Sequence, residues 1–182
     1  MLYPTDTLYG LGADALSDTA IAKIYTIKER DTGKPMHAIV ADVAMAERYA
    51  EVDDRARTLA EKFLPGPLTL ILEKKPSVAT GIGRGMDTIG IRIPDDAFCR
   101  ALARVFDAPI TTTSANKSGL STARRVDKIL EQLGERAQKI DLIIDAGELS
   151  ESKPSTIVDL TGPKPLILRE GAISSSEILA LL

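Results

Sequence analysis

Four stretches of this 182-residue chain gather small hydroxyls, basic side chains and glycines where turns are expected. They are Tyr3-Pro4-Thr5-Asp6-Thr7-Leu8-Tyr9-Gly10-Leu11-Gly12, Lys28-Glu29-Arg30, Thr111-Thr112-Thr113-Ser114-Ala115-Asn116-Lys117-Ser118-Gly119, and Pro154-Ser155-Thr156 with Leu168-Arg169-Glu170-Gly171. Hydroxyls and backbone amides in such turns form concave anion sites, which Lys and Arg complete. Each stretch also has an ordinary structural reading: threonine-rich strands follow β propensity, and Lys28 and Arg30 complement the dipole at a helix end. Several such stretches in one chain weaken that reading.

Other chemistries are poorly supported. His37 is the single histidine and Cys99 the single cysteine, so no Cys/His set for structural zinc exists and no intramolecular disulfide can form. There is no G-x-x-x-x-G-K-[ST] loop, and Gly81, Gly83 and Gly85 are spaced G-x-G-x-G rather than as a dinucleotide fingerprint. A Ser/His/Asp triad would need His37, yet no G-x-S-x-G elbow presents a serine. As a residue, His37 reads as a strand side chain with a satisfied ring before it reads as a general base. With so few proton shuttles, catalysis would rest on positioning and fixed positive charge, which suits phosphate-group transfer.

The elements that must hold these residues are those of one α/β domain. At roughly 150 residues per domain the length gives one, and 44% hydrophobic with 27% charged residues is the balance of a folded globular chain. A net charge of −3 argues against a protein that neutralises many phosphates along a duplex, while leaving room for a local basic pocket. No apolar run approaches the ~20 residues of a membrane span, and Met1-Leu2-Tyr3-Pro4 does not open a signal peptide, so the chain reads as cytoplasmic with no membrane partner. Helical periodicity predicts helices through Ile21, Ile24, Tyr25 and Lys28 after a Ser17 or Asp18 cap, and over Asp53 to Phe63, Asp95 to Phe106, Val126 to Leu133 and Ser175 to Leu182. Apolar or β-branched runs predict strands over Met36 to Ala41, Leu68 to Glu73, Thr88 to Ile93, Pro109 to Thr113, Asp141 to Asp145, Ser155 to Leu160 and Pro165 to Arg169. Helices and strands alternate early and the last three strands follow one another, so the expected fold is α/β with a twisted, open mixed sheet and flanking helices.

Read in order, the stretches form a longer pattern. It runs Pro4-Thr5-Asp6-Thr7-Leu8-Tyr9-Gly10-Leu11-Gly12, Lys28-x-Arg30 with Lys34-Pro35, Pro65-Gly66-Pro67-Leu68-Thr69 and Gly90-Ile91-Arg92-Ile93-Pro94. It continues through Thr113-Ser114-Ala115-Asn116-Lys117-Ser118-Gly119, Pro154-Ser155-Thr156-Ile157-Val158-Asp159 and Arg169-Glu170-Gly171. Over nearly the whole chain this resembles the YrdC-like family of L-threonylcarbamoyladenylate synthases, the paired K-x-R and S-x-N elements being its most specific part. The resemblance implies a YrdC-like fold in a single domain over residues 1–182, short at the N-terminus relative to the family and without the additional C-terminal domain of longer relatives.

It also implies an activity: L-threonine, bicarbonate and ATP give threonylcarbamoyl-AMP and pyrophosphate, toward threonylcarbamoyladenosine in tRNA, with tRNA-modifying proteins downstream and direct tRNA contact left open. By the resemblance, Lys28 and Arg30 are catalytic and hold the triphosphate, while Thr88, Ser114, Asn116, Thr122 and Arg169 face the nucleotide. Thr5, Arg92, Thr112, Ser155 and His37 would form the threonine pocket, with Arg92 on the carboxylate. No protein metal ligands are implied, and Mg²⁺ would arrive with ATP. Arg92 has a plainer alternative, pairing with Asp95 or Asp96, and Asn116 with Ser118 can simply build a turn. The alternative function is a nucleic-acid-binding or regulatory domain of the same fold without synthase activity. A carbamoyl-phosphate-processing module is a third, weakened by the absence of accessory zinc-finger cysteines.

Overall fold

The computed structural model describes residues 1–32 and 34–182. In chain order its elements are β1 (Leu2–Pro4), β2 (Tyr9–Leu11), α1 (Asp18–Lys28), β3 (His37–Ile39), α2 (Val43–Ala46), α3 (Asp54–Phe63), β4 (Leu68–Glu73) and β5 (Thr88–Arg92). The second half supplies α4 (Ala97–Phe106), β6 (Ile110–Ser114), α5 (Val126–Leu133), β7 (Thr156–Asp159), β8 (Leu166–Arg169) and α6 (Ser175–Leu179). Side-chain caps set the helix starts: Ser17 accepts from the Ala20 amide, Asp53 from Ala56, Asp96 from Cys99, and Ser174 with Glu177 closes a capping box. The helix expected from Asp95 therefore begins two residues later, because Asp96 serves as its cap. The last helix ends at Leu179 rather than Leu182.

The eight strands form one sheet in the order β1-β2-β6-β3-β5-β4-β7-β8. β3 pairs with β5 and β4 with β7 in parallel, and every other neighbour is antiparallel, which makes this the mixed sheet expected from the element pattern. One expected strand is absent. Residues 141–145 touch β1 through a single bridge, Ile143 to Leu2, and leave Leu142 and Ile143 exposed. β1 is the sheet's edge strand and three residues long, and its free side exchanges two backbone bonds with this segment, Leu2 N–H to the Leu142 carbonyl and Ile144 N–H to the Leu2 carbonyl, rather than a full ladder.

Register assigns the side chains to two faces. Thr112, His37, Gly90 and Ile71 stand opposite one another across four strands, so they share a face. Two residues along their strands, Ser114, Arg92 and Thr69 fall on that same face, and Thr69 carries it through Ile157 to Arg169. The other face shows Thr111, Ala38, Ile91, Leu70 and Val158, all buried. Leu70, Leu72 and Ile91 there pack toward Ala56 and Ala60 of α3, each large aliphatic side chain contributing about 1.5–3 kcal/mol by leaving water. One side of the sheet thus anchors the fold and the other carries the polar residues.

Candidate active site

The polar face opens as a pocket lined by Thr5, Thr7, Leu8, Tyr9 and Gly10 of the β1–β2 hairpin and by Arg30, Pro35, Met36 and His37 leading into β3. Thr69, Arg92, Thr112, Thr113, Ser114, Pro154, Ser155 and Arg169 complete it. Three arginines and no carboxylate line this space. The hairpin is shaped by Thr5, whose hydroxyl donates to the Leu8 carbonyl at 2.7 Å and accepts from the Thr7 and Leu8 amides at 3.2 Å each. A single side chain thereby folds the Pro4-Thr5-Asp6-Thr7 turn onto the sheet.

Arg92 is buried, and its guanidinium donates to the Gly66 carbonyl at 3.2 Å, to Thr7 Oγ1 at 3.0 Å and to Asp6 Oδ1 at 2.7 Å. Asp6 also accepts from the Asp95 amide at 3.1 Å, so the carboxylate that orients Arg92 is itself fixed. The partner is therefore Asp6 and not Asp95 or Asp96. Of five guanidinium N–H groups, those three bonds leave two for a ligand. Arg169 donates through Nε and Nη2 to the Ser155 carbonyl at 3.0 and 2.8 Å, and through Nη2 to Ser155 Oγ at 3.1 Å. Ser155 Oγ shares a hydrogen bond of 3.0 Å with Thr69 Oγ1. Arg30 is held by the Lys34 and Pro35 carbonyls.

His37 sits above Gly90, whose missing side chain admits the ring: a Cβ there would lie 3.0 Å from His37 Cδ2 and 3.0 Å from Ile71 Cδ1. Burial, with Arg169, Arg30 and Arg92 nearby, pushes its pKa down to about 4. At neutral pH the imidazole is uncharged and adds nothing to the pocket's charge, while keeping one donor and one acceptor.

Lys28 lies elsewhere. It is 1% exposed, and its ammonium donates to the Ser114 carbonyl, to the Asn116 carbonyl at 2.9 Å and to Asn116 Oδ1 at 2.8 Å. Burial, and secondarily Arg30, draws its pKa down to about 7, while three oxygen acceptors favour the charged form. The Lys28 carbonyl accepts from the Ser118 amide at 2.8 Å, and Ser114 Oγ donates to Asn116 Oδ1 at 2.6 Å. Lys28 and Asn116 thus tie the 114–120 loop to the end of α1 behind the pocket wall. In this geometry neither lines the pocket, which departs from their expected contact with the triphosphate. Thr88, at the far end of β5 opposite Glu73, and Thr122, in the loop before α5, also lie outside it.

Of the residues expected from the sequence, the fold brings together Arg30, Ser114 and Arg169 with Thr5, His37, Arg92, Thr112 and Ser155. Thr7, Thr69 and Met36 join them without having been assigned roles. Thr69 carried a signal, a hydroxyl alternating with Leu68 and Leu70 in an otherwise apolar run.

The chain is thus a mixed α/β protein with one eight-stranded sheet, whose pocket is lined by arginines and hydroxyls. The sequence profile of the Sua5/YciO/YrdC family, described as telomere recombination, matches residues 1–171, and the chain belongs to that family. A relative from Methanocaldococcus jannaschii is 46% identical over 169 residues, covering 93% of this chain and 78% of its own length. The threonylcarbamoyl-AMP synthase of Bacillus subtilis is 35% identical over 182 residues, covering 99% of this chain and 52% of its own. Among solved structures, P. abyssi Sua5 complexed with L-threonine superposes with a TM-score of 0.88 at 36% identity, covering all of this chain and 53% of that one. The chain therefore spans about half the length of the B. subtilis and P. abyssi proteins.

Proposed function

We propose that this chain is an L-threonylcarbamoyladenylate synthase, forming threonylcarbamoyl-AMP and pyrophosphate from L-threonine, bicarbonate and ATP. The observation that carries the reading is a pocket with three arginines and no carboxylate on one sheet face. The reaction brings two anions together, a carbamate and a triphosphate, and fixed guanidinium charge offsets their repulsion. The family's synthases and the P. abyssi structure with L-threonine support the same reading.

The threonine amine and bicarbonate condense to a carbamate with loss of water. A carbamate oxygen then attacks the α-phosphorus of ATP, a P–O bond forms, and the bond to the bridging oxygen of the β-phosphate breaks to release pyrophosphate. Arg92, preset by Asp6, directs its two remaining N–H groups to the amino-acid carboxylate, with Thr5, Thr112, Ser155 and neutral His37 around the same substrate. Arg30 and Arg169 face the phosphates with Ser114. Lys28 and Asn116 support Ser114 from behind. Mg²⁺ would enter with ATP as the counter-ion of its phosphates.

The acyl-adenylate is reactive, and its consumers in this reading are cytoplasmic tRNA-modifying proteins. Among the described residues no helix is long and apolar enough to cross a membrane. The test is pyrophosphate release from ATP with each co-substrate omitted in turn. We expect release to require both L-threonine and bicarbonate; release that ignores threonine contradicts the assignment.

A further inference from the structure

Tyr3 has a place in the site that its position in the sequence does not reveal. It pairs with Gly10 across the β1–β2 hairpin, and Gly10 in turn pairs with Ser114 of β6. The ring lies over Gly10 of β2 and over Gly12 just beyond its end. A Cβ on Gly12 would fall 2.6 Å from Tyr3 Cε1, and one on Gly10 would fall 3.4 Å from the same atom and 3.1 Å from Thr112 Oγ1. The missing side chains of Gly10 and Gly12 thus leave room for the phenol to cross β2 and reach the Thr112 side of the sheet.

Tyr3 is 0% exposed, and in this geometry its hydroxyl makes no hydrogen bond. Burial holds its pKa well above the usual phenol range, against a hydrogen-bonding influence of Thr112 that lowers it. A buried O–H without a partner is costly to retain where phenylalanine would fill the same space. Thr112 Oγ1 is the pocket-lining hydroxyl near it: a Cβ on Gly10 would lie 3.1 Å from that oxygen and 3.6 Å from Tyr3 Cζ.

We propose that Tyr3 is a positioning residue: its buried O–H donates to Thr112 Oγ1, which turns the Thr112 proton into the pocket and onto an oxygen of the anionic amino-acid substrate. Without Tyr3 the Thr112 hydroxyl is free to turn its lone pairs toward that oxygen, where they repel it. The effect belongs to the amino acid, since Thr112 acts on the threonine side of the pocket in the function proposed above, on which this inference rests.

The experiment is steady-state pyrophosphate release by the whole chain and its Tyr3→Phe, Thr112→Val and doubly substituted variants, with thermal melts of each. Tyr3→Phe keeps the ring and its packing. We expect it to raise KM for L-threonine about fivefold, the factor that about 1 kcal/mol for one neutral hydrogen bond corresponds to, with kcat and KM for ATP unchanged. Thr112→Val should raise the same KM at least as much, and adding Tyr3→Phe to it should raise it no further, because the phenol acts only through that hydroxyl. Threonine-dependent activity in the parent chain with an unchanged threonine KM in Tyr3→Phe, or effects of the two substitutions that multiply in the double variant, overturns the inference and leaves the synthase reading intact. A parent chain without threonine-dependent release overturns both.

Discussion

Lys28 and Arg30 are separated by one residue and sit in different surroundings. The Lys28 ammonium is enclosed by the Ser114 carbonyl and both oxygens of Asn116, whereas Arg30 lines the pocket and donates to the Lys34 and Pro35 carbonyls. Removing Lys28 takes its donor from the Asn116 carbonyl, while Asn116 Oδ1 keeps Ser114 Oγ and the Ser114 carbonyl keeps the Asn116 amide, so Lys28→Ala should lower stability by about 1–3 kcal/mol, with activity falling because the loop that carries Ser114 loosens. Arg30→Ala should melt like the parent and lose about a hundredfold in turnover, the scale of one lost transition-state donor. Urea unfolding and single-turnover rates measured on both variants separate these roles. A Lys28→Ala protein of parental stability and negligible turnover would place the ammonium among the reacting groups instead.

The elements show what the sequence can and cannot convey about this site. Strands β3 to β8 were legible because each is an apolar or β-branched run between breakers, and α1, α3 and α4 because of their helical periodicity, with Ser17 among the caps expected for α1. β1 and β2 were not, since three residues hold too little alternation to read and the Thr and Gly content of the hairpin reads as turn. Residues 141–145 have a strand's composition but only the three-residue edge of β1 to pair with. The pocket's arginines and hydroxyls could be named from the chain, whereas the Asp6–Arg92 pair could not. It joins residues 86 positions apart, and only sheet register brings them together. Register also explains why β5 carries glycine at position 90, where a larger residue would favour the strand. Gly90→Ala should leave the fold intact, because the nearest atoms the added methyl meets are side-chain atoms, His37 Cδ2 and Ile71 Cδ1 at 3.0 Å and His37 Cγ at 3.3 Å. It should displace the imidazole and raise KM for L-threonine several-fold. Parallel melts and threonine titrations check this, and an unchanged KM would mean that the ring's position is immaterial.

At the scale of the whole molecule, a chain of net charge −3 keeps three arginines at one pocket free of lining carboxylates. Concentrating guanidinium charge at one pocket raises the local potential for small anions even in a chain whose total charge is slightly negative. The two sheet faces divide the labour in the same way: α3 packs on the apolar side, and the other side carries the pocket. The central claim is that two anionic substrates are joined on that face, and the product itself tests it most directly. Mass spectrometry of a reaction with ATP, L-threonine and ¹³C-bicarbonate should show an adenylate bearing threonine and a single ¹³C in its carbamoyl carbon, in step with pyrophosphate. ATP consumed to ADP and phosphate, or an adenylate without the label, would contradict it.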